Sequence, residues 1–321
     1  MTDIQYAEFL KDTALVWNWP IGIYLFLLGI SVGMVAIAVL LKRRLPADKN
    51  AADSNIIKAT AIFAPLTVVT GLLILVFHLT MPFTFWRLMI FYSPTSVMSI
   101  GVMLFQVYMV ILILWVAIIY SQWIERILNG RFNWINSIIK GFSRFEYFIE
   151  TFLLVIALAL GAYTGFLLSA LKTYPMLNNP VLPVLFMFSG ISSGAAAIVL
   201  FSTLFFKEPA NSQSLSFVHK IETPVVLFEL FLLAAFFIGL YFGGGQKTAS
   251  AIAALAGGFW ANIFWLGIVG VGIVVPLLLN AIVNSNLKHN KGYLVLVSCM
   301  SLFGTMLLRL FILYAGQMTL A

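Results

Sequence analysis

The chain has 321 residues, of which 62% are hydrophobic, 15% aromatic and only 9% charged, with a formal net charge of +7. A soluble domain carries about 25% charged residues, so the charges here are too few to solvate a water-facing surface of this size. This excludes a soluble globular enzyme and a disordered chain, which needs high charge and few aromatics. It also argues against a nucleic-acid partner, because the basic residues fall between apolar runs instead of clustering on one soluble face.

In chain order, the first 19 residues are acidic on balance, with Asp3, Glu8 and Asp12 against Lys11. A cleaved signal would start with a basic segment, so the first apolar run is expected to stay. A membrane-crossing helix needs about 20 mostly apolar residues. Eight runs qualify, at about 20–41, 56–79, 97–120, 147–171, 181–206, 222–242, 259–283 and 292–315. The alternation of a membrane barrel is absent. The expected fold is an all-α integral membrane protein of eight transmembrane helices in a single membrane domain, arranged as two four-helix bundles.

Lys and Arg set the orientation. The loops after the first, third, fifth and seventh runs hold thirteen of the eighteen basic residues, among them Lys42, Lys49, Arg131 and Lys220. The other side holds Lys11, Arg87, Lys172 and Lys247. The basic loops are therefore expected in the cytoplasm and both termini in the periplasm, in a multi-pass protein of the bacterial inner membrane surrounded by lipid. The longest connection, 121–146, has an amphipathic pattern and is expected to lie on the membrane surface.

Two small-residue motifs stand out: Gly29-Ile30-Ser31-Val32-Gly33 in the first run and Gly190-Ile191-Ser192-Ser193-Gly194 in the fifth. Small residues four apart let helix backbones approach closely. Ordinary packing accounts for them, and so does a four-plus-four duplication. Gly267, Gly270 and Gly272 mark a further packing face in the seventh run. Pro65 and Pro276 lie inside runs and predict kinks, whereas Pro224 falls at a run end.

Charged groups in hydrocarbon are expensive, so each is a functional candidate. Glu229 is expected ~10 Å from the cytoplasmic end of the sixth helix, and Arg309 ~9 Å below the outer end of the eighth. Glu150 and Glu222 are shallow on the cytoplasmic side. His78 ends the second helix, Tyr163 lies ~12 Å inside the outer end of the fourth, and Gln106 sits in the outer part of the third. Each has a structural alternative. Arg309 could snorkel to the headgroups, Tyr163 and His78 could pack at an interface, and the fifth-helix serines can bond their own backbone. Glu229 is either a hydrogen-bonded buried carboxyl or, with Glu150 and Glu222, part of a proton path.

Cofactor chemistry is narrowed by scarcity. A transmembrane haem needs ligands within the bilayer, and of His78, His219 and His289 only His78 is near a helix. Cys299, the single cysteine, cannot form a disulfide and cannot hold an iron–sulfur cluster, which takes four thiolates. No haem, iron–sulfur cluster or other metal is expected in this protein. No phosphate-binding loop and no hydrolytic grouping is present. Three classes remain: a protein handling a lipid-soluble redox carrier, a secondary transporter, and a structural anchor. Transporters bind near the midplane on interrupted helices, whereas here the polar groups gather toward the outer face.

The stretch Trp17-Asn18-Trp19-Pro20-Ile21-Gly22 resembles the opening of the NrfD/PsrC family of quinone-interacting membrane subunits. So do His78-Leu79-Thr80-Met81-Pro82, Pro94-Thr95-Ser96-Val97, Gly161-Ala162-Tyr163-Thr164-Gly165 and Arg309-Leu310-Phe311-Ile312-Leu313-Tyr314. The resemblance runs nearly end to end and is strongest to the branch serving formate-dependent nitrite reduction. It implies a menaquinol-oxidising subunit that passes electrons to a ferredoxin-like iron–sulfur subunit at the periplasmic face. From there they would reach a multihaem c-type cytochrome and nitrite reductase. Polysulfide, thiosulfate and tetrathionate systems use similar subunits and remain alternatives. The resemblance implies a quinol site at the outer end with His78 and Tyr163 in the proton and head-group roles. Arg309, Trp17, Asn18 and Gln106 complete the expected pocket.

Overall fold

The computed structural model describes residues 17–45, 50–79, 81–128, 133–283, 288 and 290–318. The expectations for the acidic N-terminal stretch, Lys11, Lys49, Arg131 and His289 fall outside the described residues. Among the described residues, eight helices are long and apolar enough to cross a membrane. They are α1 Trp19–Lys42, α2 Asn55–His78, α3 Val97–Ile119, α4 Glu146–Ser169, α5 Leu182–Phe205, α6 Gln213–Tyr241, α7 Phe259–Ile282 and α8 Lys291–Gly316. No strand occurs among the described residues. In lipid each backbone N–H and C=O must be satisfied within its own segment, and a helix does this.

The apolar run predicts a sixth helix starting at 222, but α6 begins at Gln213. The Ser212 side chain caps it, accepting a hydrogen bond from the Leu215 N–H at 3.1 Å. The first turns of α6 are polar, so an apolar count passes over them. As a result Pro224 lies inside the helix and not at its end. In α7 the turns from Ile263 to Val274 are π-helical, between α-helical ends. Glycines let these wide turns pack closely. A Cβ on Gly272 would come 2.6 Å from the Gly304 Cα of α8.

Helices α1 and α5 are the most enclosed of the eight. Each touches the other and four more: α1 packs on α2, α4 and α8 and touches α6, and α5 packs on α2, α4, α6 and α8. Their glycine motifs are each other's partners. A Cβ on Gly33 would sit 2.8 Å from the Gly194 Cα and 2.9 Å from the Ile191 Cα, closer than real side chains come. Ser31, within the first motif, donates to the Ala64 carbonyl of α2 at 2.9 Å and pairs with the Tyr108 hydroxyl of α3 at 2.8 Å. Hydrogen bonds between helices thus add to close packing in holding α1 to its neighbours.

At the end that carries the basic loops, Lys42 pairs with Glu146 and Glu150, and Arg43 donates to Thr151 at 2.6 Å, which ties α1 to α4. The connection between α3 and α4 includes two short amphipathic helices, Ser121–Leu128 and Asn133–Ser143. Lys140 and Glu125 bridge them at 3.0 Å, and Trp123, Ile127, Trp134 and Ile138 are exposed.

The α1–α5 crossing predicts that Gly194→Val cannot be accommodated. A branched side chain there would separate the two central helices, where even one added methylene costs about 1–3 kcal/mol. The expected result is loss of the monodisperse peak in size-exclusion chromatography after mild detergent extraction. Gly239→Val, at a position with open space around it, should leave that peak intact.

Candidate functional site

A cavity of about 250 Å³ opens at the end of the molecule opposite the Lys42–Glu150 cluster. Its walls come from the start of α1, the end of α2, the start of α3 and the end of α4. Trp17, Gln106 and Tyr163 line it, so three of the six residues expected at the quinone site meet there. Around them the surface is apolar, with Tyr24, Leu75, Phe105 and Leu167 among the contributors. This is the composition of a small-molecule pocket: mostly apolar, with a few polar groups to orient the ligand.

Tyr163 is 6% exposed, and its hydroxyl has no hydrogen-bond partner among the described residues. A buried tyrosine hydroxyl ordinarily finds one. The ring lies directly against Gly101 of α3, and a Cβ at position 101 would fall inside it. Gly101 is therefore what allows the phenol to reach the cavity. In the sequence it is one glycine in an apolar helix, with nothing to single it out until Tyr163 is known to face it.

The remaining wall is the segment between α2 and α3. It forms a 3-10 turn, Pro82–Thr84, and a short helix, Trp86–Ile90, and it places Phe85, Leu88 and Met89 on the cavity. Gln106 holds this segment. Its Nε2 donates to the Met89 carbonyl at 3.1 Å, and its carbonyl oxygen is bonded to the Tyr92 hydroxyl, which also lies 2.7 Å from the Met89 carbonyl. Gln106 thus lines the cavity while its amide is engaged with the wall. Tyr92, which the sequence does not mark, is its partner.

His78, Asn18 and Arg309 do not line the cavity. His78 is the last residue of α2 and is exposed, although its neighbours Val76 and Leu79 face inward. Asn18 precedes α1 in an extended conformation and makes no side-chain cap. Arg309 neither snorkels nor approaches Tyr163. It is 1% exposed, donates to the Phe186 carbonyl at 2.9 Å, and lies over the Phe186 ring at 3.8 Å from its centroid.

Glu229 is also buried, 2% exposed, and its carboxylate is the acidic group whose charge acts on Arg309, with the α5 serines Ser189 and Ser192 nearby; no ion pair within 4 Å joins the two among the described residues. This moves Glu229 from its expected depth. Ser189 is seven residues into α5 and Arg309 seven from the end of α8, so the cluster lies ~10 Å from the cavity end of those helices, not the basic end. The three acidic residues expected to form one path are dispersed. Glu222 pairs with His219 at 2.9 Å, one helical face but two turns away from Glu229. Glu150 belongs to the Lys42 and Arg43 cluster between α1 and α4.

Removing one of two opposite buried charges strands the other, and where the two are paired this costs about 3–5 kcal/mol. Arg309→Leu is therefore expected to lower the thermal unfolding temperature of the detergent-purified protein markedly. The double change Arg309→Leu with Glu229→Leu should recover much of the loss. If the double variant is as unstable as the single one, the two residues are not a pair.

The family described as "Polysulphide reductase, NrfD" matches residues 9–321. The chain is similar to Protein NrfD of Escherichia coli, with 51% identity over 317 residues, 96% of this chain and 97% of that one. It is similar to a Protein NrfD homolog of Haemophilus influenzae, with 47% identity covering 96% of each. It is also similar to the C subunit of the polysulfide reductase of Wolinella succinogenes, with 41% identity covering 94% of each. With likeness along nearly its whole length and eight apolar helices to carry it, this chain belongs to the NrfD family and is a multi-pass inner-membrane protein.

Proposed function

We propose that the protein is the quinol-oxidising subunit of a respiratory complex, with menaquinol bound in the Tyr163 cavity. The observation that carries this reading is a buried tyrosine whose hydroxyl, with no hydrogen bond to the described residues, lies on the wall of an apolar cavity. A quinol head group is flat and apolar with an oxygen at each end. It suits such a wall, and Tyr163 can donate to or accept from one of its oxygens. Oxidation releases two electrons and two protons. A phenol fixed beside a quinol oxygen can direct the departing proton, and exposed His78, next to the lining residues Val76 and Leu79, takes it on toward the aqueous face.

The basic residues give the cavity its side of the membrane. They gather at the opposite end, so the positive-inside rule assigns the cavity to the periplasmic half. Electrons then leave on the periplasmic side, into a ferredoxin-like iron–sulfur subunit docked there, and go on to c-type cytochromes and nitrite reduction to ammonia. The identities of 51% and 47% to the two NrfD proteins, against 41% to the polysulfide reductase subunit, favour the nitrite branch. Co-purification of the complex and identification of its other subunits distinguishes the two branches. A molybdopterin-type polysulfide enzyme in place of multihaem cytochromes would overturn the nitrite assignment.

Tyr163→Phe removes the free hydroxyl and leaves the packing. It is expected to lower electron delivery from a soluble naphthoquinol by about 100-fold in membranes that retain the intact complex. Gly101→Ala displaces the ring without touching its chemistry and should lower the same rate. Wild-type rates in both variants would show that quinol is oxidised elsewhere.

A further inference from the structure

We propose that Gln317, at the end of α8, is a positioning residue for this cavity that acts through Trp17; the inference rests on the quinol reading above. The Gln317 side chain takes both backbone polar atoms of Trp17. The Trp17 N–H donates to Oε1 at 3.1 Å, and Nε2 donates to the Trp17 carbonyl at 2.9 Å. Nε2 also donates to the Leu313 carbonyl at 2.9 Å, which fixes the amide on α8. This is the pairing that a neighbouring strand would offer, made here by one side chain across 300 residues of sequence.

Trp17 needs such a partner. It precedes α1, which begins at Trp19, and Asn18 between them is extended and supplies no cap. Its backbone is therefore outside the helical ladder, yet a buried N–H or C=O must be bonded somewhere. Gln317 is 5% exposed and does not itself line the cavity, whereas Trp17 does. Any effect of Gln317 on the ligand must pass through the tryptophan. A site holds its ligand productively only when its walls are fixed to within about 0.5 Å. The bidentate grip supplies that fixing at a wall residue that no helix holds. It also makes α8, which belongs to the second half of the sequence, a part of a pocket otherwise built from the first half.

The test uses the intact complex and a soluble naphthoquinol, with Tyr163→Phe as the control for the quinol site. Gln317→Leu keeps the volume and removes both bonds. It is expected to raise KM by about tenfold, as for the loss of one to two net hydrogen bonds, with a much smaller change in kcat. Gln317→Glu keeps the acceptor for the Trp17 N–H but cannot donate to its carbonyl, and should give an intermediate KM; it carries the test if the leucine variant does not assemble. In a Trp17→Ala background, Gln317→Leu should have no further effect, because the residue through which it acts is gone. A wild-type KM for Gln317→Leu alongside an impaired Tyr163→Phe overturns the role of Gln317 and leaves the quinol site standing. So does an undiminished loss in the Trp17→Ala background, which marks general destabilisation. Wild-type behaviour of Tyr163→Phe as well overturns both readings together.

Discussion

Close approach of two helix backbones organises this molecule. Where Gly33 of α1 meets Gly194 of α5, neither helix has a side chain, and there is no room for one. In hydrocarbon there is little hydrophobic force between helices, so association depends on contact area and on polar groups that find each other. The glycine crossing provides the contact area. It also sets α1 as a partition. One part of α1, with Ile21 and Tyr24, faces the cavity. Elsewhere it meets the second half of the sequence, where Gly22 lies against Leu310 and Gly29 against the Arg309 guanidinium. The cavity and the buried Arg309 guanidinium are thus separated by a single helix.

The two polar features on either side of α1 differ in their surroundings. Arg309 has the Phe186 carbonyl and ring and the charge of buried Glu229 nearby. Opposite charges buried near one another are costly to strand, which fits a role in holding α5, α6 and α8 together. Tyr163 has an apolar cavity in front of it and no partner. The hydroxyl that opens on the cavity is the one positioned to meet a ligand, and the buried arginine and carboxylate lie within the scaffold. Two glutamines support the cavity wall. Gln106 and Gln317 both spend their amides on backbone, one pinning Met89 and the other Trp17. Both wall segments that lie outside the spanning helices are held in this way.

Likeness to NrfD proteins and to a polysulfide reductase subunit agrees with this division. Enzymes with different terminal chemistry share a membrane subunit of one kind, as expected if the subunit handles the common electron donor and its partners handle the acceptor. The scaffold then has to preserve the cavity.

The sequence by itself determined that the protein lies in a membrane, that it has eight helices, and roughly where they run. These follow from composition and local hydropathy, which depend on the solvent and not on the fold. The sixth helix was legible only in part, because its first turns are polar and project beyond the apolar run. Motif likeness identified Tyr163 and Trp17, and Gln106 was found as a polar residue in an apolar helix. Tertiary structure decided which of the candidates share a site. Arg309 and Tyr163 both look like polar groups near one membrane face, and a depth estimate along each helix cannot say which side of α1 they occupy. That depends on helix rotation and crossing, which are set by contacts such as Gly33 with Gly194 and Gly101 with Tyr163 between residues far apart in the sequence. Gln317 shows the same limit: its partner is 300 residues away, and only the fold brings the two ends together.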